Sequence, residues 1–158
     1  MNRAFPESQL ILLALVLISA CSPPGSDTAA PAGVEEPPVM ERTSSADGAR
    51  VFFIMPADGA RVTNPVRVEF GLTGMAVVPA GDDSPDSGHH HLIIDGSLPD
   101  FDLPIPKDEH HLHFGDGSSA TELTLSPGQH TLQLLLGDHL HIPHDPPVFS
   151  EQIRIAVE

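Results

Sequence analysis

Prolines and glycines punctuate this chain so closely from Pro56 to Pro147 that only short elements fit between them. The segments they bound carry no helical apolar period, whereas several alternate with period two. Val66, Val68, Phe70 and Leu72 alternate with Arg67, Glu69 and Gly71, the signature of a half-buried strand. Taken in order, the sequence predicts strands at 51–55, 66–72, 90–95, 110–114, 120–126, 130–137 and 148–157. In the last of these Phe149, Ile153, Ile155 and Val157 share one parity. Such a series of short strands separated by Gly and Pro turns predicts an all-β fold, an antiparallel immunoglobulin-like β-sandwich. A cupredoxin-like barrel is the alternative. The connections 73–88 and 97–109 are long for a domain of this size, and long loops of this kind more often carry function. Within the first, Gly81-Asp82-Asp83-Ser84-Pro85-Asp86 lacks the spaced ligands and closing Glu of an EF-hand and reads as a solvated turn.

The folded domain is expected at 50–158. Ahead of it, residues 1–20 read as a lipoprotein-type signal peptide, with an apolar run from Leu10 to Ile18 too short to span a bilayer. Ile18-Ser19-Ala20-Cys21 resembles a bacterial lipobox, which implies acylation of Cys21 and its exposure as the mature N-terminus. Residues 21–49 then form a tether rich in Pro, Ala and Ser, which lacks the apolar period of a packed element. Ser22, rather than Asp, after the cysteine implies the periplasmic face of the outer membrane, by resemblance to Gram-negative lipoproteins. Cys21 is the one cysteine, so the domain has neither an internal disulfide nor a thiolate for metal or nucleophilic chemistry.

A net charge of −15 disfavours nucleic acid, whose phosphates need Lys and Arg, and attracts cations. The absence of Trp and Tyr removes the usual stacking platforms for sugars and single strands. What the chain has instead is histidine. Of its 10, all but His130 fall in three groups: His89-His90-His91, His110-His111-Leu112-His113 and His139-Leu140-His141-Ile142-Pro143-His144. Residues two apart on a strand share a side, so His89 with His91, His111 with His113, and His139 with His141 are each spaced to aim two imidazoles at one point. In an immunoglobulin-like order the three groups lie at connections on one end of the sandwich, where they converge. Protonated imidazoles repel when crowded, and coordination removes that objection.

The expected site therefore holds a copper or zinc ion on nitrogen ligands, with Asp95, Asp116, Asp138 and Asp145 available to orient rings or to bind directly. His130 opens its strand at the opposite end, and a structural hydrogen bond is expected there. No Ser-His-Asp order, phosphate loop or paired Glu points to a reaction. The competing expectation is a non-catalytic envelope module that binds protein or glycan and uses the histidines to shape its loops.

Five stretches carry a resemblance: Gly74–Gly81, Gly88–Asp95, His111–Gly115, Pro127–Leu134 and Gly137–Val148. They are similar to an uncharacterised group of bacterial exported domains, domain-of-unknown-function family 4399. The resemblance covers nearly the whole folded domain and implies an exported domain of unsettled function. Its pattern falls on His89, His90, His91, His111, His113, His130, His141 and His144, and passes over His110 and His139. That makes His141 with His144 the better third pair. The candidate ligands are thus His89, His91, His111, His113, His141 and His144.

Overall fold

A computed structural model describes residues 40–158. The signal peptide, Cys21 and most of the tether lie outside the described residues. Among those described there is no helix, and hence none long and apolar enough to cross a membrane. Nine strands form: β1 Arg50–Met55, β2 Ala60–Val62, β3 Val66–Thr73, β4 Ala76–Val77, β5 Ser87–Ile94, β6 His111–His113, β7 Ala120–Leu123, β8 Gly128–Gly137 and β9 Ile153–Val157.

They build two sheets, one of three strands ordered β1-β3-β7 and one of six ordered β2-β9-β8-β5-β4 with β6 also paired to β5. The chain is all-β as the alternation predicts. The larger sheet is mixed, however, because β2 pairs with β9, and β4 with β5, in parallel, while the smaller sheet is antiparallel throughout. These two additions are two or three residues long, too short to leave a periodic signal.

The main core lies where inward positions of the two sheets meet. Val51, Val66, Val68 and Phe70 come from the smaller sheet, and Leu92, Ile94, Leu132, Leu134, Leu136, Ile155 and Val157 from the larger. Each such side chain contributes roughly 1.5–3 kcal/mol when fully buried. The larger sheet is covered on its other face too. There Ile93 and Leu135 pack with Ile105, Leu98 and Phe101 of the long 97–109 connection. That is why every residue of β5 is buried, and why β8 carries an unbroken Leu134-Leu135-Leu136 run instead of an alternation.

Two expectations shift. The last strand is regular only from Ile153. Phe149 makes a single bridge to Leu135 and stays exposed, stacked on Phe101 at 5.9 Å, because Ser150 interrupts the ladder. Its hydroxyl accepts from the Leu134 N–H and donates to the Glu151 carbonyl. The strand at 110–114 shortens to His111–His113 and pairs with β5 in the larger sheet. This second shift positions the site.

Candidate metal centre

On β5, His89, His91 and Ile93 point to the outer face, while His90, Leu92 and Ile94 point to the core. The antiparallel pairing of β5 with β6 sets His91 opposite His113 and Ile93 opposite His111, so all four side chains share the outer face. β8 lies on the other side of β5 and ends in a tight return over residues 138–144. Asp138 builds that return: its carboxylate accepts from the Leu140 and Ile142 N–H groups, each at 2.9 Å, and from the Thr43 hydroxyl at 2.8 Å. His141 is held there at φ +66°, a conformation few non-glycine residues adopt. Its N–H donates to the Asp138 carbonyl and its own carbonyl accepts from Ile105, which offsets the cost.

The result is a cluster of four imidazoles. His89 lies 4.8 Å from His91, 4.9 Å from His113 and 4.9 Å from His141 between ring centroids. His113 and His141 are 4.7 Å apart, and their Nε2 atoms share a hydrogen bond of 3.1 Å. His89, His113 and His141 each present a ligand atom within 4.8 Å of the others. Two nitrogens bound ~2.05 Å from one tetrahedral ion stand ~3.3 Å apart, so modest ring rotations bring these donors into a coordination sphere.

Glycines make room for the rings. A Cβ on Gly115 would collide with the His113 ring, and one on Gly137 would stand 2.7 Å from Cε1 of His91. These residues are as much part of the site as the histidines, and nothing in their spacing marks them.

Burial sets the electrostatics. Both His89 nitrogens and Nδ1 of His91 are buried with no hydrogen-bond partner in the protein. Desolvation, reinforced by the neighbouring rings, lowers the His89 pKa to about 4 and that of His91 to about 2. His113 is lowered as well, first by burial and then by His141 and Lys107. At neutral pH these three rings are unprotonated, the state a metal requires of its ligands. Each unpaired buried nitrogen costs about 1–3 kcal/mol, so the cluster carries a real penalty unless something binds it.

Of the other candidates, His111 sits on the same face at the far end of β6, its Nδ1 2.8 Å from Asp108 and its Nε2 buried without a partner. His144 is set apart. It packs beside Gly88, whose missing side chain would point to the core side of β5, and its Nε2 donates to the Ser87 carbonyl at 3.0 Å. The alternation of β5 thus puts His144 across the sheet from His89 and His91. His90 is buried in the main core, edge-on to Phe70 at 4.7 Å, and burial lowers its pKa to about 4.

Asp95 orients His130 (2.6 Å) rather than a cluster ring, while the His130 Nε2 lies 2.8 Å from the Ser126 carbonyl; this is the structural bond expected for that residue. Asp116 closes a turn on Ser118, and Asp145 pairs with Arg42 at 3.7 Å. The Asp82 loop is a turn as well, its carboxylate taken by Ser84.

Residues 42–45 strap the 138–145 return from outside. Besides the Thr43–Asp138 bond, the Arg42 guanidinium donates to the carbonyls of Pro143 and His144, and Ser44 bridges to Asp145.

A family model described as a domain of unknown function, DUF4399, matches residues 68–158. No curated protein and no solved structure matches the chain.

Proposed function

The chain belongs to the DUF4399 family, and from that premise we propose that it binds copper or zinc in the bacterial cell envelope. His89, His113 and His141 are the primary ligands, and Cys21 carries a lipid that anchors the chain at the periplasmic face of the outer membrane. The observation that carries this reading is the convergence of three imidazoles, from β5, β6 and the 138–144 return, on one point where the His89 ring has no other partner. An all-nitrogen set of this kind suits zinc or a type-2 copper(II) ion, since a blue-copper site needs thiolate.

The burial of the three residues favours an ion that comes and goes. His89 is fully buried and forms a floor, whereas His113 and His141 are partly exposed and form a rim. A carrier, buffer or sensor needs such an open side. The charge of −15 raises the local concentration of cations around it.

The test is a titration of the full chain, purified in detergent without a histidine tag and stripped by chelator, with copper(II) and with zinc. Metal remaining after desalting is expected in the wild type and is lost in His89→Ala and in His113→Ala. No retained metal at micromolar protein contradicts the reading, and leaves an envelope interaction module whose histidines shape its loops.

A further inference from the structure

His141 reaches the centre from a return that is gripped along its outer side. Residues 42–45 run beside it, with Ser44 in a parallel bridge to Asp145. The Asp145 N–H donates to the Thr43 carbonyl at 2.9 Å, and the Ser45 N–H donates to the Asp145 carbonyl at 3.1 Å. The Ser45 hydroxyl adds a bond to the Pro146 carbonyl at 2.8 Å. The contact of most consequence is the Thr43 hydroxyl on Asp138, because that carboxylate, on a residue 1% exposed, closes the turn that carries His141.

Arg42 reaches further. Its guanidinium donates to the carbonyls of Pro143 and His144, pairs with Asp145 and with Asp102 at 3.5 Å, and lies 5.9 Å from the centre of the Phe101 ring. Asp102 and Phe101 belong to the 97–109 connection, whose Ile105 N–H binds the His141 carbonyl at 2.8 Å. One short segment therefore grips both pieces of chain that fix the His141 backbone. Yet none of Arg42, Thr43, Ser44 and Ser45 is buried, and none joins either apolar core cluster. A segment held by polar bonds near solvent opens locally without unfolding the domain.

Two grips on one element are linked. Whatever a closed strap adds to the affinity for an ion at His141, the ion adds to the closing of the strap. The backbone of His141 is the element that both bias. At φ +66° it is strained, and strain of this kind persists only while the surroundings hold it.

We propose that residues 42–45 are a metal-responsive strap: coordination of His141 favours its closed form, and loss of the ion lets it open more often. This rests on the three-histidine reading and gives that centre a readout on the side of the chain that leads back to Cys21. Opening frees Arg42 from Asp102 and Phe101 and returns the backbone groups of Asp145 to solvent.

Hydrogen exchange tests it on the full chain in detergent, stripped and then with zinc added. Zinc is expected to slow exchange at the Ser45 and Asp145 amides about fivefold or more, the lower end of ordinary coupling between sites, with no comparable slowing in β7 of the other sheet. In His89→Ala zinc is expected to change neither amide. Arg42→Ala, read by competition titration, is expected to bind zinc about fivefold more weakly. The wild-type comparison decides alone if that variant does not fold. Retained zinc without slower exchange at either amide, slowing matched in β7 or in His89→Ala, or undiminished zinc affinity in Arg42→Ala overturns the strap while the three-histidine centre stands. No retained zinc and no retained copper overturns both.

Discussion

His89 is the residue on which the chemistry turns, because its buried ring, unpartnered on both nitrogens, faces the other imidazoles, whereas His90, unpartnered likewise, faces Phe70 in the core. An apolar replacement of similar size removes two unsatisfied polar atoms, so in the stripped protein His89→Leu is expected to be neutral or stabilising by up to ~2 kcal/mol. With zinc present the order reverses. A ligand at 100 times its Kd stabilises the wild type by ~2.7 kcal/mol, and the variant has lost that ligand. Thermal unfolding of both proteins with and without chelator reads this crossing directly; a variant that is less stable in both conditions would mean that the ring is structural. Gly115→Ala tests the same site from beneath, since its methyl group would displace the His113 ring. It is expected to bind metal at least tenfold more weakly in the same titration, and unchanged binding would remove Gly115 from the site. His130 is the counter-case among the histidines. Its pKa is raised by Asp95 first and by the Ser126 carbonyl second. The protonated pair therefore stabilises the fold fully below the ordinary histidine pKa of 6.5, and that contribution fades as pH rises through the higher folded value. The stability gap between wild type and Asp95→Asn, measured by urea unfolding, is expected to narrow as pH rises above the ordinary histidine value of 6.5.

At the scale of elements, most of the ladder was legible and its sheet assignment was not. Alternation in 66–72, the leucine-rich run in 130–137, and the turns at Pro56-Ala57-Asp58-Gly59 and Ser126-Pro127-Gly128, locate β1, β3 and β8 to within a few residues. The partner of β6 is a different matter. Three residues with one leucine between two histidines carry no preference for either sheet. Its place is set by hydrogen bonds to β5 and by Leu112, which packs against the main core. The histidine groups do converge, but through β6 lying alongside β5 and the 138–144 return folding over, and not through three loops at one end of a sandwich. His-x-His spacing correctly put His89 with His91, and His111 with His113, on one face. It could not foresee that His144 would plug the core side, since that depends on the direction of a return built by Asp138. The strap at 42–45 was equally silent, for its bonds are to side chains and carbonyls about a hundred residues away. Because Thr43 secures the carboxylate that shapes this return, Thr43→Ala is expected to weaken metal binding severalfold while leaving the number of bound ions unchanged. Equal affinity in a competition titration would show that Asp138 holds the return unaided.

The whole molecule is a two-sheet scaffold that spends an unusual share of its interior on imidazole. His89, His90 and His91 are neutral when folded, with pKa values lowered to about 4, 4 and 2, chiefly by burial. In the unfolded chain these rings take up protons near pH 6.5. The unfolded state then binds more protons as pH falls, so stability is complete above about 6.5 and is lost on acidification, down to about 4 for His89 and His90. The stripped protein is expected to unfold at a markedly lower urea concentration at about pH 5 than at about pH 7.5, and metal retention is expected to fall over the same interval as protons compete for the ligands. The measurement that meets the central claim most directly is X-ray absorption at the zinc or copper edge of the loaded, desalted protein. Imidazole coordination predicts a nitrogen or oxygen shell near ~2.0–2.1 Å, the outer-shell scattering of several histidine rings, and no sulfur near ~2.3 Å. Bound metal without the histidine outer shell, or with that pattern intact in His89→Ala, His113→Ala and His141→Ala alike, would contradict it.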